Sequence, residues 1–408
     1  MESFMISVSE ARKKIEESVL AGPTVSVSLK EASGRILAEK IASPFDLPFF
    51  DNSAMDGYAV RAEETAGATQ NDPSWFRLGE IISAGAQAEK EIRPGETFRI
   101  FTGAMMPRGA DAVVKQEEIL RREGQIGVTR PLKKGENIRF RGEEIRKGDL
   151  LLNPGEKISP AAVGFLASLG IRKIPVFSPP RVGILVTGSE IVTDPSEIRD
   201  GKILDSNSFS LTAALETLRL SPLFCRHSPD DPALLLDRVR ESLAEVDFLL
   251  VTGGVSVGDF DFVKEAAEKA GVKEIFWKIK QKPGKPLFFG KTETEKFLFG
   301  LPGNPASALV CFYEYVRPAL LRAMGAHDAS LLSLNARLKN NFSQRTGLTH
   351  FLKGDVSSTP EGVFVEVLEN QGSHMMTSFA RANCLVVISG EKEEWRPGDE
   401  VQVHLLFS

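Results

Sequence analysis

Residues 248–261, FLLVTGGVSVGDFD, run from an apolar strand into a glycine-rich turn and end on two closely spaced carboxylates, Asp259 and Asp261. A second strand, Lys296 to Leu301, enters Pro302-Gly-Asn-Pro305 and an apolar helix beyond it. Between the two lies Lys278-Ile-Lys-Gln-Lys-Pro-Gly-Lys285. Backbone amides at helix starts attract anions, lysines neutralise them, and carboxylates hold hard cations, so this region suits a large phosphorylated ligand.

Around that core the pattern alternates strands with amphipathic segments. Val182 to Thr187, Leu223 to His227 and Phe248 to Thr252 read as strands. Ser208 to Arg219, Pro232 to Leu243, Phe262 to Ala270 and Pro305 to Leu321 read as helices, and the alternation predicts a parallel sheet covered on both faces. Asn304-Pro305 and Asp231-Pro232 each pair a capping side chain with proline at the first helical position. Ligands in open α/β sheets gather beyond the carboxyl ends of strands, so the turns at Gly188, Gly253 and Gly303 should line one crevice. Each turn taken singly reads equally well as a tight connection.

The flanking sequence is different. Ser7 and Glu10 form a capping box before a charged, exposed helix, Ala11 to Leu20. From Tyr58 to about Ile138, short β runs are punctuated by glycine and proline, predicting a small β domain. A helix at Ala161 to Leu169 and a strand at Arg172 to Phe177 follow, and Ser178-Pro-Pro180 breaks the chain. From about Ala326 the pattern is β again and predicts a small closed or sandwiched module.

The 408 residues exceed one ordinary core. With 42% hydrophobic and 26% charged residues and a net charge of −5, there is no basic field for nucleic acid, so an anion must meet a local patch. Cys225, Cys311 and Cys384 are too few and too dispersed for a disulfide framework or a CxxC metal site. No apolar run suits a signal peptide or a membrane span, making the cytoplasm the default. The dinucleotide GxGxxG and the P-loop GxxxxGK[ST] are absent, as is HExxH.

Asp259 and Asp261 alternate around Phe260, so in an extended loop one faces the crevice and the other caps the helix near Phe262. Asp261, Glu190 and Asp230 come from neighbouring strand ends and together offer oxygen ligands to Mg²⁺ beside a phosphate, or are simply solvated acids. Prolines stiffen Lys282-Pro-Gly-Lys-Pro286 and fix the direction of two ammonium groups; the bland alternative is a solvated hairpin.

Taken together, DNSAMDGYAV (51–60), FTGAMMPRGADAVV (101–114), ENIRFRGEEI (136–145), VGILVTGSEI (182–191), LLVTGGVSVGDFDF (249–262), KPGKPLFFG (282–290), FGLPGNPASA (299–308) and QGSHMM (371–376) resemble, in order and over nearly the whole chain, the molybdopterin molybdenumtransferase family, related to the gephyrin E domain. The resemblance implies an elongated multidomain α/β-plus-β protein. Its parts would be a discontinuous N-terminal domain (1–45 and 141–178), a β-rich insert (46–140), an α/β parallel-sheet domain similar to molybdopterin adenylyltransferases (179–325) and a C-terminal small β-barrel (326–408). It implies a homodimer whose substrates are adenylylated molybdopterin and molybdate, with Mg²⁺ as cofactor and molybdenum cofactor and AMP as products. Implied partners are the molybdopterin adenylyltransferase upstream and molybdoenzyme apoproteins downstream.

By the same resemblance, Asp56 and Thr102 are functional positions facing a partner's crevice, Glu190, Asp230 and Asp261 are its acids, and Glu190 and Asp261 hold the metal. Gly253, Gly254, Ser256, Asn304, Lys282, Lys285, Ser307 and Ser373 bind substrate, the last four of these around molybdate. Arg345 matches the family arginine, with Lys353 as the alternative because QRTGLTHFLKG does not align cleanly. Glu144 stands where the family has an aspartate. Rival functions are ATP-dependent adenylylation of molybdopterin, suggested by the α/β domain alone, and a non-catalytic cofactor carrier.

Overall fold

The computed structural model describes residues 5–254, 262–344, 347–390 and 392–406. At its centre is a six-stranded sheet in the order Phe224–Ser228, Val182–Thr187, Phe248–Thr252, Phe297–Leu301, Phe288–Lys291, Lys273–Trp277. The first four strands are parallel, as the alternating pattern predicts. Phe288–Lys291 runs antiparallel to both its neighbours, Phe297–Leu301 and Lys273–Trp277, so the parallel sheet continues into an edge joined by antiparallel pairings. Its central strands are buried along their whole length, because helices cover both faces. Ile184 and Val186 pack on one side with Leu211 and Leu215, while Leu185 packs on the other with Leu235 and Val239.

The helix after the Pro302 turn runs from Pro305 to Ala323 but is not uniform. Residues Phe312–Val316 form a widened π turn between the α-helical stretches Pro305–Cys311 and Arg317–Ala323. Pro318, two residues beyond, has no N–H to return to the preceding turn, a setting in which helices adopt such a bulge.

The first helix is Val8–Ser18, three residues earlier than its charge pattern predicts, with the Ser7 hydroxyl accepting from Glu10 N at 3.1 Å. The expectation of an exposed helix is corrected: Val8, Ala11 and Ile15 form a buried stripe packed into the α/β core. Farther on, Thr24–Ser28 pairs with Lys173–Phe177, and Ile41–Ala42 pairs with Leu150–Leu152, so the start of the chain and a returning segment share one small core. Between these segments lies a second six-stranded sheet, which includes Gly57–Val60 and Glu96–Ile100. At the C-terminal end, Thr349–Thr359 pairs with both Gly362–Val367 and Cys384–Ile388. Ser333–Leu338 and Glu400–Leu405 complete the circuit, closing a five-stranded β-barrel.

Candidate active site

The three turns open onto one crevice of about 610 Å³, lined by Gly188, Glu190, Asp230, Gly253, Gly254 and Asn304 among others. Gly253 has φ +90°, and a Cβ there would lie 2.6 Å from the Thr187 carbonyl oxygen, so only glycine lets the two strand ends approach this closely. Its N–H is already used, donating to Leu301 O at 3.1 Å. The turn therefore shapes the crevice floor, and its first amide is not available to cradle an anion.

Asp230 ties the Gly188 turn to the loop that follows the strand Phe224–Ser228. Its carboxylate accepts from Ser189 N at 2.9 Å, and its own N–H donates to Ser189 Oγ at 3.0 Å. Glu190 folds back over Gly188, where a Cβ would come within 2.6 Å of Glu190 Oε2. Two crevice residues escaped the sequence reading. Asp205 is buried and accepts from Ser208 N and from the Ser208 hydroxyl, with His227 Nε2 at 3.0 Å. Asn207 donates through Nδ2 to Gly303 O at 2.8 Å and joins the helix Asn207–Glu216 to the third turn. The signal was Asp205-Ser-Asn-Ser208, which by itself reads as an ordinary helix start.

Beside the crevice, Pro286 joins its lining while Lys282 and Lys285 on the same turn are exposed. Neither ammonium has a hydrogen bond or ion pair among the described residues. Ser307 is buried in the first turns of the helix Pro305–Cys311, against which this lysine turn packs. Ser373 reaches the helix start from the opposite direction: its hydroxyl bonds Asn304 Nδ2 at 3.0 Å and its carbonyl accepts from Ala306 N at 3.1 Å. Asn304 consequently makes no side-chain cap, contrary to expectation, whereas Asp231 caps Leu234 N at 2.8 Å as expected. His374, the next residue, also lines the crevice and was not singled out from sequence.

Lys353, the alternative to Arg345, is directed into the protein. It is buried, and its Nζ donates to the carbonyls of Asn370 (2.9 Å), Gly372 (3.2 Å) and Met375 (3.2 Å). Burial lowers its pKa from the ordinary 10.5 to about 8. This residue clamps the loop that carries Ser373 and His374.

Asp56 and Thr102 form a unit of their own, away from the crevice lining. One Asp56 carboxylate oxygen accepts both Thr102 N and Thr102 Oγ1, each at 2.8 Å. The Thr102 backbone bond first, then its hydroxyl, holds the Asp56 carboxyl below its usual range, so it is ionised at neutral pH. Ser256, Asp259, Asp261 and Arg345 lie outside the described residues. Among the described residues no group of three His, Cys, Asp or Glu is preassembled to hold a metal ion. Glu190 and Asp230 at the crevice nonetheless suit Mg²⁺, which is commonly held by one or two carboxylates together with substrate phosphates.

Comparison with known proteins identifies this architecture. Residues 6–170 match the MoeA N-terminal region (domain I and II), 183–322 the probable molybdopterin binding domain and 335–406 the MoeA C-terminal region (domain IV). A molybdopterin molybdenumtransferase from Haemophilus influenzae is 36% identical over 98% of this chain and 100% of its own length. The chain belongs to the molybdopterin molybdenumtransferase family. A Staphylococcus aureus member is 33% identical over 99% of this chain and 96% of its own. The crystal structure of a molybdopterin biosynthesis MoeA protein from Pyrococcus horikoshii superimposes with a TM-score of 0.85 at 33% identity, covering 98% of this chain and 100% of that one. Since the likeness to molybdenumtransferases extends across the N-terminal and C-terminal regions, ATP-dependent adenylylation, suggested by the α/β module alone, is not favoured. Among the described residues, no helix is long and apolar enough to cross a membrane.

Proposed function

We propose that this transferase of molybdenum cofactor biosynthesis takes adenylylated molybdopterin and molybdate as substrates and releases AMP as molybdenum enters the pterin dithiolene. The observation that carries this reading is the pairing, beside one helix, of Ser373 and two lysines that have no partner among the described residues with a crevice lined by Glu190 and Asp230. A tetrahedral dianion is repelled by bare carboxylates and needs fixed cations and hydroxyl donors, which Lys282, Lys285, Ser307 and Ser373 offer. The nucleotide-capped pterin occupies the crevice. Mg²⁺, held by Glu190 with Asp261, would neutralise its pyrophosphate there.

In the exchange the two dithiolene thiols each give up a proton, one molybdate oxide takes both and leaves as water, and two molybdenum–sulfur bonds form. Carboxylates near the thiols assist by accepting and passing those protons. Asp56, an ionised carboxylate beside Thr102, is the residue placed in that role by the family resemblance. Because it lies off the crevice of its own chain, the reading requires a homodimer in which Asp56 of one copy serves the Asp230 crevice of the other. Water then cleaves the phosphoanhydride, leaving pterin phosphate and AMP. The cytoplasm is the proposed site of action.

The test is AMP release from adenylylated molybdopterin with and without molybdate. Release that depends on molybdate and is lost in Asp261→Ala supports insertion. Equal release without molybdate, or tight pterin binding with no AMP at all, refutes it; the latter result would indicate a carrier.

A further inference from the structure

The lysine turn is held from its buried side. Gln281 is fully buried directly before Lys282, and its Nε2 donates to the carbonyls of Pro283 at 3.1 Å and Gly284 at 3.2 Å. Its Oε1 accepts from the hydroxyl of Tyr315, itself fully buried in the π turn Phe312–Val316. The amide orientation is dictated by these partners, since only the nitrogen can donate to two carbonyls and only the oxygen can accept the phenol. Burial raises the Tyr315 pKa well above its usual value, which keeps its proton available for donation.

The packing around this bridge leaves the turn little freedom. Gly284 has φ +85°, and a Cβ there would lie 2.6 Å from Cys311 Sγ and 2.8 Å from Gln281 Nε2. The turn thus rests on the helix Pro305–Cys311, whose first turn also holds Ser373 through Ala306 N. Lys282 and Lys285 project from the outer side of the same four residues. Their separation and direction are set by which way the Pro283 and Gly284 carbonyls face, and one buried amide fixes both carbonyls. A fully satisfied polar network inside an apolar core is a stringent geometric constraint, because each lost partner leaves a buried group unpaired.

We infer that Gln281 and Tyr315 are positioning residues for molybdate: they fix Lys282 and Lys285 relative to Ser373, so oxyanion affinity is set by two side chains that the oxyanion never touches. This rests on the reading that the lysine pair receives molybdate. Neither Gln281 nor Tyr315 lines the crevice, so the KM for the nucleotide-capped pterin serves as the control that separates a specific effect from general damage.

The experiment is molybdate-dependent AMP release by the full-length protein, titrating each substrate in Tyr315→Phe, Gln281→Met and Lys285→Ala, with molybdate binding followed in parallel by equilibrium dialysis. Tyr315→Phe should raise the molybdate KM about threefold to tenfold and Gln281→Met more than tenfold. The KM for adenylylated molybdopterin should stay within about twofold of wild type, and saturating molybdate should restore kcat, as expected where only binding is weakened. If Lys285→Ala raises the molybdate KM while Tyr315→Phe and Gln281→Met leave it unchanged, the positioning role is wrong and the oxyanion site stands. If Lys285→Ala has no effect, the oxyanion site itself is wrong and this inference falls with it. Should Gln281→Met fail to fold, Tyr315→Phe decides alone, since it removes one hydroxyl and keeps the ring. A parallel rise in both KM values in Tyr315→Phe also overturns the proposal.

Discussion

Removal of the Lys285 ammonium is the most direct probe of the oxyanion site, because the structure lets its effect on binding be separated from its effect on stability. Lys285 is exposed and has no described protein partner, so Lys285→Ala should change folding free energy by no more than about 0.5 kcal/mol. Its loss falls instead on the ligand. One positive charge about 5 Å from a dianion in water-like surroundings contributes roughly 1.7 kcal/mol, or somewhat over tenfold in molybdate affinity. Partial exclusion of water in the closed complex would increase that figure. Because the ammonium is exposed, added salt should erode its contribution: the Debye length falls from about 10 Å at 0.1 M to about 3 Å at 1 M. The assay is the molybdate KM for AMP release in wild type and Lys285→Ala at both ionic strengths, alongside thermal midpoints. A variant within twofold of wild type at 0.1 M salt, or a ratio that does not shrink at 1 M, would refute the electrostatic account.

Three other outcomes follow from particular contacts. Thr252 Oγ1 is buried at the crevice floor with no hydrogen-bond partner among the described residues, so Thr252→Val should stabilise the protein by about 1 kcal/mol, a rise of about 1 °C in thermal midpoint; a lower midpoint in differential scanning calorimetry would contradict it. Mixing equal amounts of Asp56→Ala and Asp230→Ala chains after unfolding and refolding should restore about a quarter of wild-type AMP release if each site draws on both copies, and none if the site lies within one chain. Lys353, with its pKa lowered to about 8, stays charged in the folded protein below that pH and loses its proton above it, while the unfolded chain keeps the proton to about 10.5. Between pH 8 and 10.5 the unfolded state binds more protons, so this group's contribution to stability rises with pH even as its charged grip on the Asn370, Gly372 and Met375 carbonyls is lost. The molybdate KM should therefore rise with a midpoint near pH 8 in wild type and not in Lys353→Arg, whose guanidinium keeps its charge; an identical alkaline limb in both would exclude Lys353 as its source.

What could be read from sequence, and what could not, divides by the range of the interaction. The crevice was legible because its determinants are local: apolar strands ending in glycines, of which Gly253, at φ +90° against the Thr187 carbonyl, admits no other residue. The barrel and the parallel strands carried their own periodicity. Asn304-Pro305 looked like a cap by every local rule, yet the Ala306 N–H is taken by Ser373, nearly seventy residues later, freeing the asparagine amide for the Ser373 hydroxyl. The first helix looked exposed because charges outnumber apolar residues in VSEARKKIEES, but Val8, Ala11 and Ile15 suffice to bury one stripe. Gln281 and Lys353 are residue types that usually face water. Gln281 is taken inside when Gln281–Lys282 joins the barrel strand beginning at Thr349, which continues to Lys353 and pairs there with Cys384–Ile388. One long-range pairing thus places the brace of the lysine turn and the clamp of the Ser373 loop on the same sheet. Local sequence supplies the groups that would touch the oxyanion, whereas the distance between them is set by how the C-terminal barrel docks on the α/β module, and changes at that junction should alter molybdate affinity without altering any residue at the site.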